Sequence, residues 1–307
     1  MEFNEFIEKT KNSICRFLGD LGSAETKEVI KNNGVILHGI IITGAGEAIS
    51  PTIYLDAFYE EYRRGKPFGS IVHEIIKIYE ENKVSHEINL DFFMDYNAVR
   101  GRIFQKVIHY DKNRKLLHNL PHKRFLDLAV VCYYAYMNDF LGRGSIQIEI
   151  GHLDKWGISE EELFADAREN TLKKLGAEVR SMDEILLEMM EEQLETADTR
   201  QLKNMLDNRT EQEIPMYIMT LRGRYFGAAC ICFEEMLKSF SDRCGKSFYI
   251  LPSSVHELIL IPESGREEPE TLKNMVREIN ADHVLLEEQL SDNIYYFDIS
   301  KNEVSLI

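Results

Sequence analysis

The segment Leu251-Pro252-Ser253-Ser254-Val255-His256-Glu257 gathers hydroxyl, imidazole and carboxylate groups within a few residues. These are the parts of a hydrolytic site, in which a histidine held by a carboxylate activates a serine. Ser254 would be the nucleophile and His256 the base. Read as one strand, the alternation puts Ser254 and His256 on one face and Glu257 on the other, so His256 and Glu257 do not pair directly. No Gly-x-Ser-x-Gly elbow exposes the serine or supplies an oxyanion hole. The competing reading is that Pro252 sets the entry to a strand and the serines satisfy turn backbone groups. Cys230 is a second candidate nucleophile: if Gly227 starts a helix, this thiol stands in the first turn, where the dipole lowers its pKa. Its neighbours Ala228, Ala229, Ile231 and Phe233 suit a packed core cysteine better.

Binding chemistry is densest from Arg100 to Arg124, with eight Lys/Arg against the single Asp111, and with Phe104, Tyr110, Phe125 and three histidines interleaved. Arg102, Lys106, Arg114, His122, Lys123 and Arg124 could hold phosphates or carboxylates on a basic hairpin, the aromatics stacking on bases. The alternative is an edge hairpin protected by its charge, or one docked on acidic helices of the same molecule. His152, near Asp154 and the single Trp156, joins the candidates as a residue following a strand end, where loops hold binding groups.

Metal and cofactor signatures are incomplete. His73-Glu74 and His86-Glu87 resemble the start of a zincin helix, but Lys77 and Leu90 stand where the second histidine belongs. Cys230 and Cys232 form C-x-C, whose members face different sides of a helix. Thr43-Gly44-Ala45-Gly46-Glu47 lacks both the third glycine of a dinucleotide fingerprint and the Gly-Lys of a P-loop. Neither a metal nor a cofactor is expected.

The elements that must position these groups follow from periodicity. Phe3, Phe6, Ile7, Ile14, Phe17 and Leu18 mark a first helix stopped by Gly19. A strand at 35–42, an extended 52–55 and helices at 56–64 and 70–83 come next. RIFQKVIHY, FLDLAVVCYYAYM and SIQIEIGHL predict an antiparallel meander over 102–150. Ser159/Glu162 and Ser181/Glu184 are capping boxes that open two helices. The remainder predicts strands at 216–221, 247–251 and 255–261, helices at 228–244 and 268–280, and a closing hairpin over 295–306. Strands and helices mix without a βαβ rhythm, which predicts an α+β fold with mixed or antiparallel sheets, flanking helices and two sub-domains, 1–152 and 153–307.

Composition narrows the function. The 307 residues are 44% hydrophobic and 29% charged, as in a folded globular protein. The formal charge of −16 disfavours nucleic acid as a partner of the whole molecule, leaving a protein partner at a local patch. Residues 154–213 hold 17 acidic against 8 basic side chains, a second docking surface or simply solvated helix faces. The longest apolar run, Leu128 to Met137, is half of what a membrane helix needs, and the N-terminus lacks the apolar core of a secretory signal. Five scattered cysteines read as reduced thiols. A cytoplasmic location without membrane association is expected.

Several strings are distinctive: Pro121-His122-Lys123-Arg124-Phe125-Leu126-Asp127-Leu128-Ala129, Gly144-Ser145-Ile146 with His152 and Trp156, Gly227-Ala228, and Leu251 to Glu257. Together, over most of residues 90–300, they resemble a bacterial family catalogued as a domain of unknown function and found mainly in Gram-positive gut anaerobes. More distantly, a Trp-led helix, strand, helix and Pro-x-x-x-hydrophobic strand is similar to the YtpQ-like proteins. The resemblance implies no activity. One departure is Leu221, where the resemblance implies Asn, so a polar role that the resemblance would imply at that position is not carried over to this chain.

The expectation is therefore an uncharacterised binding or regulatory module without catalytic activity, using the basic stretch 100–124. Its rivals are a hydrolase in which Ser254 or Cys230 is the nucleophile, His256 the base and Arg124 an anion anchor, and a structural subunit that docks through the acidic helices.

Overall fold

A computed structural model describes residues 1–44, 52–82, 91–138, 142–193 and 215–307. Ala45 to Glu47 of the glycine turn, His86-Glu87 and the acidic stretch beyond residue 193 lie outside the described residues. The fold is α+β, and the described residues form three antiparallel sheets. Contacts divide it into two units: residues 1–99 with 135–145, and residues 100–134 with 146–307.

In the first unit, helix α1 (Phe3–Leu18) ends at Gly19, whose φ of 56° is the left-handed conformation glycine tolerates. Strands β1 (Gly22–Ile30), β2 (Ile36–Gly44) and β3 (Thr52–Tyr54) form one sheet in that order. The β1–β2 turn uses Asn33 and Gly34, both at positive φ. Helices α2 (Leu55–Arg63) and α3 (Phe68–Asn82) follow, then the short turns α4 (Asp91–Met94) and α5 (Tyr96–Val99). Phe6 and Ile14 of α1, Ile40 of β2, Leu55 of α2 and Ile71 and Ile75 of α3 share one core. Strand β1 is an addition to the sequence reading: its alternating charges face water and Ala24 is its one buried residue.

A second sheet has strands β4 (Ile103–His109) and β5 (His122–Phe125), both in the second unit, flanking β6 (Leu128–Asn138), with β7 (Gly142–Gln147) also paired to β6; residues 135–138 of β6 and 142–145 of β7 are counted with the first unit. The stretch 100–124 is therefore not a hairpin. Its strands are separated by β6, and a short helix α6 (Arg114–Leu117) occupies the expected turn. The tight turn is Leu126-Asp127, since Phe125 pairs with Leu128. The expected strand through His152 also ends early, at Gln147, and α7 (Ile150–Trp156) begins under a Glu149/His152 capping box.

Helix α8 (Glu160–Asn170) starts where Ser159 accepts the Glu162 N–H, and α9 (Met182–Gln193) follows β8 (Ala177–Ser181) through the reciprocal Ser181/Glu184 bonds, as both capping boxes predict. Strands β8, β9 (Tyr217–Leu221), β10 (Phe248–Pro252), β11 (Leu258–Pro262), β12 (Tyr295–Asp298) and β13 (Glu303–Leu306) make a sheet ordered β13-β12-β10-β11-β9-β8. Helix α10 (Glu234–Cys244) begins later than expected, because Gly227–Cys232 is a buried 3-10 segment that breaks at Phe233. Helix α11 (Pro269–Asp282) opens with proline in its first turn.

Candidate functional site

Between β10 and β11 the strand reading of Ser253 to Glu257 fails: these residues form a turn, and β11 starts at Leu258. Ser254 Oγ accepts the His256 backbone N–H at 3.0 Å, and Ser253 Oγ donates to Glu257 Oε1 at 3.4 Å. Ser254 is thus a turn residue in hydrogen bonding to backbone, and its hydroxyl is not bonded to the imidazole of His256.

That imidazole belongs to an aromatic stack. Its Nδ1 accepts the backbone N–H of Phe226 at 3.1 Å, which places the neutral ring's proton on Nε2. Nε2 faces Glu288 Oε1 at 3.9 Å, and the ring lies nearly parallel to Phe226 with centroids 5.5 Å apart. Lys106 puts its ammonium 4.5 Å above the Phe226 ring, and Tyr225, 39% exposed, packs 5.3 Å from His256. Burial pushes the His256 pKa below its ordinary value near 6.5, and Glu288 and Glu257 oppose that while Lys106 adds to it. The neutral imidazole is therefore the folded form. Its contribution to stability is complete above the unfolded pKa and is lost as pH falls through the lower folded value.

The loop carrying the stack is conformationally costly. Arg224 and Phe226 both have positive φ, which non-glycine residues avoid, and the surrounding contacts hold them there. Thr220 Oγ1 donates to the His256 carbonyl at 2.8 Å, and Gly227 lets the chains close: a Cβ on it would meet Thr220 Oγ1, the His256 carbonyl and the Leu221 nitrogen.

Cys230 is fully buried, and burial pushes its thiol up to about 12. The α-helix begins at Glu234, so Cys230 lies in the 3-10 segment before it and not in a first helical turn.

The basic residues are distributed among partners. Arg100 pairs with Asp166 of α8 at 3.1 Å, Lys112 with Asp292 at 3.3 Å and Arg114 with Asp111 at 2.7 Å. Lys123 stands 4.7 Å over Phe164, and Arg124 stacks 4.7 Å over Tyr110 while donating to the Leu126 carbonyl. Arg102 and Lys115 are exposed and, among the described residues, make no ion pair. His122 Nδ1 lies 2.8 Å from the Leu120 carbonyl. His152 Nδ1 accepts the Glu149 N–H, its ring stacks on Trp156 at 5.6 Å, and burial lowers its pKa. Of the candidate groups, the structure brings Lys106 and His256 together through the ring of Phe226, and Arg114, His122 and Arg124 together around the ring of Tyr110.

A polar cluster escaped the sequence reading. Asp127, in the β5–β6 turn, accepts from Ser291 Oγ at 2.7 Å, Asn293 Nδ2 at 3.0 Å and Tyr295 Oη at 2.8 Å. Tyr295 is fully buried, so this carboxylate satisfies a hydroxyl with no access to water. Tyr225 and Phe226 were missed as well, although the aromatic pair between Gly223 and Gly227 is the local signal of a tight loop presenting rings.

Among the described residues no helix is long and apolar enough to cross a membrane, and no group of three His, Cys, Asp or Glu side chains could hold a metal ion. No curated protein and no solved structure matches the chain. The family model described as a family of unknown function (DUF5688) matches residues 3–299, and the chain belongs to that family.

Proposed function

We propose that the chain is a cytoplasmic binding or regulatory module that performs no chemistry of its own. The observation that carries this reading is the commitment of His256: its Nδ1 is taken by the Phe226 N–H and its face by the Phe226 ring, so it holds a loop instead of serving a nucleophile. Ser254 capping its own turn and Cys230 buried as a thiol support the same reading. The contact surface is the exposed set Arg102, Lys115, Lys123 and Arg124, and its partner is a small acidic protein patch that matches these local charges, because an extended polyanion such as nucleic acid would also meet the rest of a molecule whose net charge is −16. Five free thiols favour a reducing compartment.

Treating the native protein with a fluorophosphonate and with iodoacetamide tests this directly. Neither Ser254 nor Cys230 is expected to be modified while the chain is folded, and Cys230 should react only in denaturant. Stoichiometric labelling of Ser254 that disappears in His256→Ala would show a working hydrolytic pair and overturn the proposal.

A further inference from the structure

Strand β1 stands at the end of its sheet: among the described residues it pairs with β2 and with no strand on its other side. Its register with β2 runs without a bulge from Gly22 opposite Gly44 to Ile30 opposite Ile36, and the strand contains no proline. The Lys31 N–H donates to the Val35 carbonyl at 2.7 Å, which continues that ladder. Bonded residues alternate along an antiparallel pair, so Glu25, Lys27 and Val29 aim their backbone groups at β2 and Ala24, Thr26 and Glu28 aim theirs outward. The Cys15 thiol of α1, 3.9 Å from the Ala24 carbonyl, meets this outward row at one end. A cleft of about 270 Å³, lined by Asn4, Ile7 and Glu8 of α1 and by Thr26, Lys27 and Glu28, leaves the middle of the row open. A nine-residue edge of this kind is a template for one more strand.

The side chains of β1 select that strand. A second copy laid antiparallel about a two-fold axis must bring outward residues opposite one another, which leaves a few registers to compare. Centred on Thr26, the exposed Glu25 of each copy faces the exposed Lys27 of the other, at the non-hydrogen-bonded positions where side chains approach closest. The same register sets threonine opposite threonine and the exposed Ile30 opposite Gly22, beside the exposed Leu21. Centred on Glu25, Lys27 or Glu28, the strands would set a charge against itself, and centred on Ala24 they would leave Lys27 to Ile30 outside the ladder. Lysine on an edge ordinarily blocks pairing, but here the glutamate two residues away in the other copy neutralises it.

We propose that the chain forms a two-fold dimer through β1, the three-stranded sheets of two copies joining edge to edge in the register centred on Thr26. This interface lies in the first unit and the cationic contact surface in the second, so either can fail without the other. Sedimentation equilibrium of the full chain over a dilution series tests it, with circular dichroism as the check on folding. The native chain should run as a dimer. Glu25→Lys and Lys27→Glu each turn both facing pairs into like charges and should weaken the dimer about tenfold. Mixed in equal amounts, the two variants should recover it, because position 25 of each then faces the opposite charge at position 27 of the other. Thr26→Pro should abolish the dimer and keep the fold, since the N–H it removes points away from β2. A native chain that stays monomeric throughout the series, a dimer indifferent to Thr26→Pro, or charge-reversed variants whose mixture associates no better than either alone would each overturn the proposal.

Discussion

Asp127→Ala should destabilise the protein by about 3 kcal/mol or more, because unsatisfied buried donors cost roughly 1–3 kcal/mol each. The carboxylate receives hydrogen bonds from Ser291, Asn293 and Tyr295, and Tyr295 cannot turn to water because it is fully buried. The backbone at Asp127 is also engaged, its carbonyl accepting the Tyr110 N–H at 2.9 Å, so the residue ties the β5–β6 turn to the segment after β4 as well as to β12. Tyr295→Phe makes the comparison informative. It removes one donor and leaves the carboxylate two others, so about 1 kcal/mol is expected. Chemical denaturation of both variants checks the order, and equal effects would mean that the Tyr295 bond carries the energy and that the Ser291 and Asn293 bonds add none.

Gly227→Ala should be nearly as severe, though it adds a single carbon. Its Cβ would press into Thr220 Oγ1, the His256 carbonyl and the Leu221 nitrogen, two of which are backbone atoms that cannot rotate aside. Overpacking of this kind costs about 1–3 kcal/mol and more where backbone must move. For a unit of this size each kcal/mol lowers the melting temperature by about 2–4 °C. Gly151→Ala is the matched control, because nothing lies within 4 Å of the added carbon there. Loss of several degrees at position 227 with none at 151, in thermal melts followed by circular dichroism, is the expected pattern.

Much of the architecture was legible because its signals are local. The apolar spacing of Phe6, Ile7 and Ile14 and the stop at Gly19 define α1, and the Ser159/Glu162 and Ser181/Glu184 boxes locate α8 and α9. The β5–β6 turn was not legible, since it puts Leu126 at positive φ where Gly or Asn is the usual sign, whereas the conspicuous Asp-Lys-Asn-Arg stretch folds into helical turns. Strand β1 hid behind its charges for the reason that one face of it meets water. The chemistry was harder still. His256 is defined by Phe226, 30 residues away, and Asp127 by Ser291, 164 residues away, so Ser254 and Glu257, its neighbours in sequence, suggested a catalytic grouping that the turn does not form. Only the chain's path decides which residues meet.

The most direct test of His256 as a structural ring is a 15N NMR titration of its imidazole in the native protein. The expected result is a proton on Nε2, Nδ1 in the signature of an acceptor, and a midpoint below 6.5, with stability rising as pH increases through that range. A ring protonated at Nδ1, or one titrating above 6.5, would mean that Phe226 does not hold it and that His256 is available as a base, which would contradict the binding-module account.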